Sequence, residues 1–159
     1  MRFKSANQPG SSVEIFPATW RDLTELRHLE QVCFQKDAWP LLDVIAVLSF
    51  SGIVRLKAVI DGQMVGFIAG EIRNPPELAW IATIGVLPAF RRQGIGSALL
   101  STCEEGLGVE RVRLSVRQGN ENAIRLYKSF GYQQIGTWPE YYRGGIDAVV
   151  LEKHFSDRL

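Results

Sequence analysis

The sequence predicts a mixed α/β domain, with about seven strands in a central sheet flanked by about four helices. Three observations carry that prediction. Apolar residues recur at helical spacing in Leu23, Leu26, Leu29, Val32 and Cys33, and again in Ala123, Ile124, Tyr127 and Phe130. Residues 111–117 alternate instead, setting Val112, Leu114 and Val116 against Arg113, Ser115 and Arg117, as a strand with one buried face would. An Asp61-Gly62 pair between two apolar runs marks a β-hairpin.

The elements follow in order. Residues 1–12 are polar and are expected to form a flexible tail, leaving 13–159 as one domain. Residues 13–17 read as a first short strand. Thr19 is placed to cap a helix, with Asp22 at the reciprocal capping-box position, and that helix ends near Phe34. Asp37-Ala38-Trp39-Pro40 is a turn, and residues 41–49 form a second short helix. Residues 53–60 and 63–71 are the arms of the hairpin, and Asn74-Pro75-Pro76 breaks the chain. Residues 78–86 are apolar enough for a central strand. Gly94 opens a third helix with Ile95, Ala98, Leu99, Thr102 and Cys103 on one face. Asn120 caps a fourth helix, and Gly131 stands where its C-terminal glycine belongs. Two last strands, near 132–137 and 146–153, flank a loop rich in aromatics and glycine. The order is βααβββαβαββ.

A chain of 159 residues suits one domain with one sizeable core. A net charge of +1 gives no global pull toward nucleic acid or a membrane surface. Cys33 and Cys103 are too few for a disulfide framework and sit in apolar helical patterns, so both are expected as buried free thiols. No apolar run reaches the ~20 residues of a membrane span, and the first dozen residues lack the apolar stretch of a signal peptide. A reduced, cytoplasmic protein is expected, as a monomer or homodimer. His28 and His154 are isolated and expected to face solvent, and no residue cluster has metal-ligand spacing.

The chemistry concentrates in residues 84–97. An apolar strand through Ile84-Gly85-Val86 ends at Pro88, a basic loop Arg91-Arg92-Gln93 follows, and Gly94-Ile95-Gly96-Ser97 opens a helix. Backbone N–H groups at a helix start, free of Cβ atoms and beside arginines, form a seat for a phosphate-bearing ligand. A dinucleotide fingerprint is incomplete, because Leu99 stands where a third glycine belongs. A P-loop is excluded, because no lysine-serine or lysine-threonine pair follows the glycines. What survives is a pyrophosphate held by backbone amides and guanidinium charge.

Two segments resemble the signature motifs of the GNAT superfamily of acetyl-CoA-dependent N-acetyltransferases. Arg91-Arg92-Gln93-Gly94-Ile95-Gly96 matches its R/Q-x-x-G-x-G/A loop. Asn120 through Tyr132 matches its N-x-x-A-x-x-L-Y-x-x-x-G-F/Y pattern. The resemblance extends over about residues 13–154 and is strongest toward bacterial ribosomal-protein N-α-acetyltransferases and their archaeal and eukaryotic relatives. The segments around Cys33-Phe34, Trp39-Pro40, Tyr141-Tyr142 and Asp147-Ala148 are similar to that branch. The resemblance implies a GNAT fold, a central mixed but mostly antiparallel sheet splayed between residues 78–86 and 111–117, with acetyl-CoA in the gap.

The same resemblance implies the site residues. Ile84, Gly85 and Val86 would contact the cofactor through backbone groups. Arg91, Arg92, Gln93, Gly94, Ile95, Gly96 and Ser97 would hold the pyrophosphate. Asn120 matches a cofactor contact, and as a bare residue it is equally a helix cap. Tyr127 matches the general acid that protonates departing coenzyme A; on periodicity alone it is a core tyrosine. Trp39, Ser115, Tyr141 and Tyr142 would line the acceptor side, the tyrosine pair being otherwise loop aromatics anchoring a hairpin.

Ser115 departs from the pattern, since the branch carries a glutamate base there. An α-amine with pKa ~7.7–8.0 is roughly a quarter neutral near pH 7.4, whereas a lysine at ~10.4 is neutral in about one part in a thousand. A protein or peptide N-terminus, a ribosomal protein among the candidates, therefore needs less help than lysine. The proton is expected to leave through water toward Glu71, Glu77 or Glu140. Two other readings stay open: an acetyltransferase for a small amine such as a polyamine or aminoglycoside, and a non-catalytic acyl-CoA-binding regulatory module.

Overall fold

The computed structural model describes residues 2–4, 12–74 and 77–156. Most of the expected tail and the Pro75-Pro76 pair lie outside the described residues. Strands β1 (Arg2–Lys4) and β2 (Ser12–Pro17) precede helices α1 (Leu23–Phe34) and α2 (Leu41–Ser49). Strands β3 (Ile53–Ile60), β4 (Gln63–Ile72) and β5 (Leu78–Val86) come next, followed by α3 (Ile95–Leu107), β6 (Arg111–Arg117) and α4 (Glu121–Ser129). The chain closes with β7 (Gln133–Tyr142) and β8 (Ile146–His154).

These strands form one sheet in the order β1-β2-β3-β4-β5-β6-β8-β7. All neighbours are antiparallel except β5 and β6. The predicted mixed, mostly antiparallel architecture is present with one strand more than the sequence suggests. Part of the N-terminal segment expected to be loose pairs with β2, Phe3 opposite Val13. Its polar composition hides a strand that needs only backbone partners.

Local signals act as predicted at the helix ends. Thr19 Oγ1 accepts from Arg21 N and Asp22 Oδ2 accepts from Thr19 N, completing a capping box around a 3-10 turn, Trp20–Asp22, that leads into α1. Asp22 is buried and also takes the Lys57 ammonium at 2.6 Å, which ties the start of α1 to β3. Asn120 Oδ1 accepts from Ala123 N at the start of α4. Gly131 follows α4 with φ +91°, a backbone conformation that favours glycine.

The sheet separates two cores. On one face Ile95, Leu99, Leu100, Cys103 and Leu107 of α3, with Tyr127 of α4, pack on Ile68, Ala79, Ile81, Val112, Leu114 and Leu151. On the other, Leu26 and Leu29 of α1 with Val44, Val47 and Leu48 of α2 pack on Met64, Phe67 and Ala69. Buried Glu104 links α3 to the far strands by accepting from Tyr132 Oη at 2.7 Å and Lys153 Nζ at 2.9 Å. No helix among the described residues is long and apolar enough to cross a membrane.

Candidate active site

The site begins where two strands part. β5 and β6 pair in parallel only at Leu78↔Arg111, Ala79↔Val112 and Trp80↔Arg113. Beyond Trp80, β5 is paired on its β4 side alone, through Ala69↔Thr83, Ile68↔Ile84, Phe67↔Gly85 and Gly66↔Val86. The register slips between Ala69 and Gly70, leaving Ala82 as an extra residue in β5. Such a bulge bends the strand that carries it and resets which face each later side chain occupies. Ala79 and Ile81 face α3, whereas Thr83 and Gly85 face α1. A cleft of about 1130 Å³ fills the opening.

One side of this cleft is the loop before α3. Arg92 has φ +60° and Gly94 φ +80°, so the backbone turns through the left-handed region twice within three residues. Consecutive N–H groups are thereby brought to one concavity. Gly94 N-caps α3 without a side chain, so the first-turn amides of Ile95, Gly96 and Ser97 open into the cleft. A Cβ at Gly96 would meet only ordinary contacts, Leu126 at 3.8 Å and Val86 at 3.9 Å. Packing does not demand glycine there; the space it leaves fits close approach of a phosphate group to backbone. Arg91 lines the cleft, but its Nε donates to Val86 O at 2.8 Å, fixing the strand end. That carbonyl also receives Cys33 Sγ at 3.5 Å, which makes Val86 the least available of the three strand residues for a cofactor.

Tyr127 reaches the cleft from α4. It is 6% exposed, and its ring meets Tyr132 edge-on at 5.9 Å. No described residue takes its hydroxyl in a hydrogen bond, and no buried side-chain polar atom among the described residues lacks a partner. The hydroxyl oxygen is therefore open to the cleft. Burial, with a smaller contribution from Tyr142, pushes its pKa well above the usual tyrosine value, so the proton stays on.

The opposite face of the sheet carries the polar groups. Ser115 Oγ lies 3.5 Å from Tyr142 Oη. Burial raises the Tyr142 pKa, opposed by that contact. Tyr141 packs edge-on against Tyr142 at 5.0 Å and lies tilted against Trp138 at 5.1 Å, and Trp138 stacks on Trp80 at 5.3 Å. Asp37 accepts from the Arg117 guanidinium and, at 3.2 Å, from Arg143 N. This pins the connection between α1 and α2 to the β7–β8 turn across the cleft mouth.

Glu30 is the residue that sequence reasoning passed over. It is 1% exposed, lines the cleft, and accepts from Thr83 Oγ1 at 2.8 Å and Trp39 N at 3.4 Å. Burial raises its pKa; the Thr83 and Trp39 hydrogen bonds oppose the rise. The signal was present: Glu30 lies four residues after Leu26 and three before Cys33, on the apolar stripe of α1.

The cleft gathers Trp39, Ile84, Gly85, Val86, Arg91, Arg92, Gly94, Ile95, Gly96, Ser97, Ser115, Asn120, Tyr127, Tyr141 and Tyr142. Gln93 does not line it, and neither do Glu71, Glu77 or Glu140, the expected proton acceptors. Glu71 pairs with Arg73 at the far end of β4. Tyr141 and Tyr142 belong to β7 and not to a loop. Pro139 is tolerated there because β7 is an edge strand whose register breaks between Trp138 and Tyr142. Asn120 both caps α4 and lines the cleft. Cys103 is buried as expected, its thiol pushed up to about 12, while Cys33 is only half-buried. His28 and His154 are exposed; His154 contacts Glu152 at 2.6 Å.

Residues 20–132 match the model of the acetyltransferase (GNAT) family. The chain belongs to the GNAT family. It is 33% identical over 149 residues to the N-alpha-acetyltransferase RimI of Mycobacterium tuberculosis, covering 91% of this chain and 94% of that protein. Among solved GNAT-like structures, the ribosomal-protein-S18-alanine N-acetyltransferase of Escherichia coli superposes with TM-score 0.81 at 26% identity, covering 92% of this chain and 98% of that one. NAA60 of Arabidopsis thaliana, in complex with acetyl-CoA, shares the fold with TM-score 0.77 at 23% identity over 90% of this chain and 98% of that one. The chain spans 41% of a Mycobacterium leprae relative and 65% of an N-alpha-acetyltransferase of Sulfurisphaera tokodaii. In GNAT terms the splayed strands are β5 and β6, and the signature loop is the turn into α3.

Proposed function

We propose that this GNAT protein is an acetyl-CoA-dependent N-acetyltransferase, with the α-amine of a protein or peptide N-terminus as acceptor and direct attack in a ternary complex. One observation carries the reading. A single cleft passes through the parted sheet, with a helix-start phosphate seat on one side and a polar, aromatic pocket on the other. Its volume of about 1130 Å³ exceeds the ~300–1,000 Å³ of ordinary small-molecule pockets, as room for two substrates requires.

Acetyl-CoA, when bound, supplies the acetyl group as a thioester. The amides of Ile95, Gly96 and Ser97 would hold its pyrophosphate, with Arg92 beside them. The open edge of β5 at Ile84 and Gly85 would offer backbone groups to the pantetheine arm. Tyr127 would hold the proton that the departing thiol needs. Tyr141, Tyr142 and Trp39 wall the acceptor entrance, and the Asp37–Arg117 bridge holds two of those walls together. Ser115 offers no base, which favours an amine already partly neutral near pH 7.4. A ribosomal-protein N-terminus is one such acceptor, supported by the similarity to the S18-alanine enzyme, and it would place the reaction in the cytoplasm.

A peptide-library acetylation assay read by thiol release tests the reading. Free N-termini are expected to react and N-terminally blocked peptides to stay inert. Equal turnover of blocked, lysine-containing peptides would refute the α-amine acceptor. Turnover of small amines alone would refute the polypeptide.

A further inference from the structure

We propose that Glu30 is the proton acceptor for the attacking amine, working through one bridging water from the α1 side of the cleft. The inference rests on the acetyltransferase reading above and adds the base that Ser115 cannot supply.

The register of the sheet puts Glu30 in the right place. Trp80↔Arg113 is the last paired rung between β5 and β6. On β6 the next residue on that face is Ser115. On β5 it is Thr83, because Ala82 is the extra residue of the bulge. Thr83 and Ser115 therefore face each other across the open gap, and Glu30 is hydrogen-bonded to Thr83. A carboxylate missing from one lip of the gap is present above the other, delivered by a helix.

The alternatives among the described residues are fewer than the acidic content suggests. The carboxylates lining the cleft are Glu30 and Asp37. Asp37 is committed to the Arg117 guanidinium and the Arg143 amide. Glu30 Oε1 and Oε2 each accept one hydrogen bond from a neutral donor, and each oxygen retains a second lone-pair site. Burial raises its pKa, which makes it a better proton acceptor than a surface carboxylate. The groups facing it are Cys33 of its own helix, Thr83 of β5 and the Trp39 amide. Arg91 and Glu30 both act on the Cys33 thiol, and Ser115 and Tyr142 stand across the gap.

The step balances with the groups named. The acceptor ammonium gives one proton through water to Glu30. The freed nitrogen lone pair forms the N–C bond at the acetyl carbonyl as the C–S bond breaks. Sulfur leaves with the electron pair and takes the Tyr127 proton. The second N–H proton restores Tyr127 through water, and Glu30 releases its own to solvent.

The test compares wild type, Glu30→Gln and the double variant Glu30→Gln with Ser115→Glu, at several pH values, on the best acceptor. Glu30→Gln should lower kcat by about 10²-fold or more. It should also flatten the acidic limb of kcat/KM while acetyl-CoA affinity, read by calorimetry, stays within about threefold. The double variant should recover at least about tenfold of the lost kcat, since its new carboxylate enters from the facing lip. A Glu30→Gln enzyme within about threefold of wild type, or one that loses rate equally at every pH without rescue, overturns the proposal. Thr83→Val gives an independent reading that leaves Glu30 in place. Removing a hydrogen bond that favours the charged form should move the acidic limb to higher pH, and an unmoved limb counts against Glu30. If wild type acetylates only small amines, the polypeptide reading fails, and the same comparison on that amine still decides the role of Glu30.

Discussion

Removing one oxygen from Tyr127 separates chemistry from folding with unusual clarity. Most buried tyrosine hydroxyls hold a protein partner, so Tyr→Phe leaves a neighbour unsatisfied at a cost of about 1–3 kcal/mol. Tyr127 has no such neighbour: its hydroxyl is open to the cleft, and its ring is held by apolar contacts and by Tyr132. Tyr127→Phe should therefore change stability by less than about 1 kcal/mol, which in a domain of this size is at most ~2–4 °C in Tm. The rate should behave differently. Losing a general acid costs about 10²–10⁴-fold, or ~2.7–5.4 kcal/mol in the barrier. The assay is steady-state thiol release at saturating acetyl-CoA, beside calorimetric titration of acetyl-CoA and a thermal melt. Because burial raises the Tyr127 pKa above its ordinary 10.0, its proton is present throughout the range between pH 6 and 9, and it adds no alkaline limb there. An unchanged kcat, or a large fall in Tm with a proportionate loss of activity, would refute the assignment.

Gly96→Ala should act in opposite directions on folding and binding. The new Cβ meets only ordinary contacts, so stability should hold or rise by up to about 1 kcal/mol, while acetyl-CoA affinity falls at least about tenfold in a calorimetric titration. Tyr132→Phe should cost about 1–3 kcal/mol, read as a lower Tm, because it strips a buried hydrogen bond from Glu104. Asp37→Asn should raise KM for a peptide acceptor several-fold and speed protease cleavage near Arg143. It should change stability by no more than about 1 kcal/mol, since Arg117 is 40% exposed. Glu30 has a raised pKa in the fold, so its contribution to stability is fully present below its unfolded value and is lost as pH rises through the folded one. A Glu30→Gln melt should therefore gain on wild type as pH rises above the ordinary carboxylate range, and a constant difference in Tm would contradict the raised pKa.

Much of the site is legible in the sequence because it rests on local rules. The alternation of residues 111–117 gives β6 and the outward side of Ser115. The glycine spacing gives the turn into α3, and the Asn120 cap gives the start of α4 and, seven residues on, Tyr127. What escapes the sequence depends on pairing. The Ala82 bulge is silent because residues 79–86 read as a strand with or without it; only the β4 partner reveals the slip. Asp37 and Arg117 are 80 residues apart, and nothing local announces their bridge. Pro139 suggests a loop and conceals that β7 continues through a register break at the sheet edge. Glu30 was hidden by its own helix, where a lone charge on an apolar stripe looks like noise until Thr83 is seen beneath it.

The Ala82 bulge acts as a spacer. Ala82 has no partner in β4, and the ladder resumes beyond it with Thr83 opposite Ala69. The strand bends at that point, where its pairing with β6 has ended, and the gap opens. Because the extra residue sits outside the ladder, the alternation of paired residues is the same on both sides of it, and Thr83 still turns toward α1 and Glu30. Deleting Ala82 would therefore leave Thr83 facing α1 and Ile84 facing α3, and would straighten the strand. The width of the opening and the identity of the side chains around it are set by separate features of one strand, so either can drift without dragging the other along.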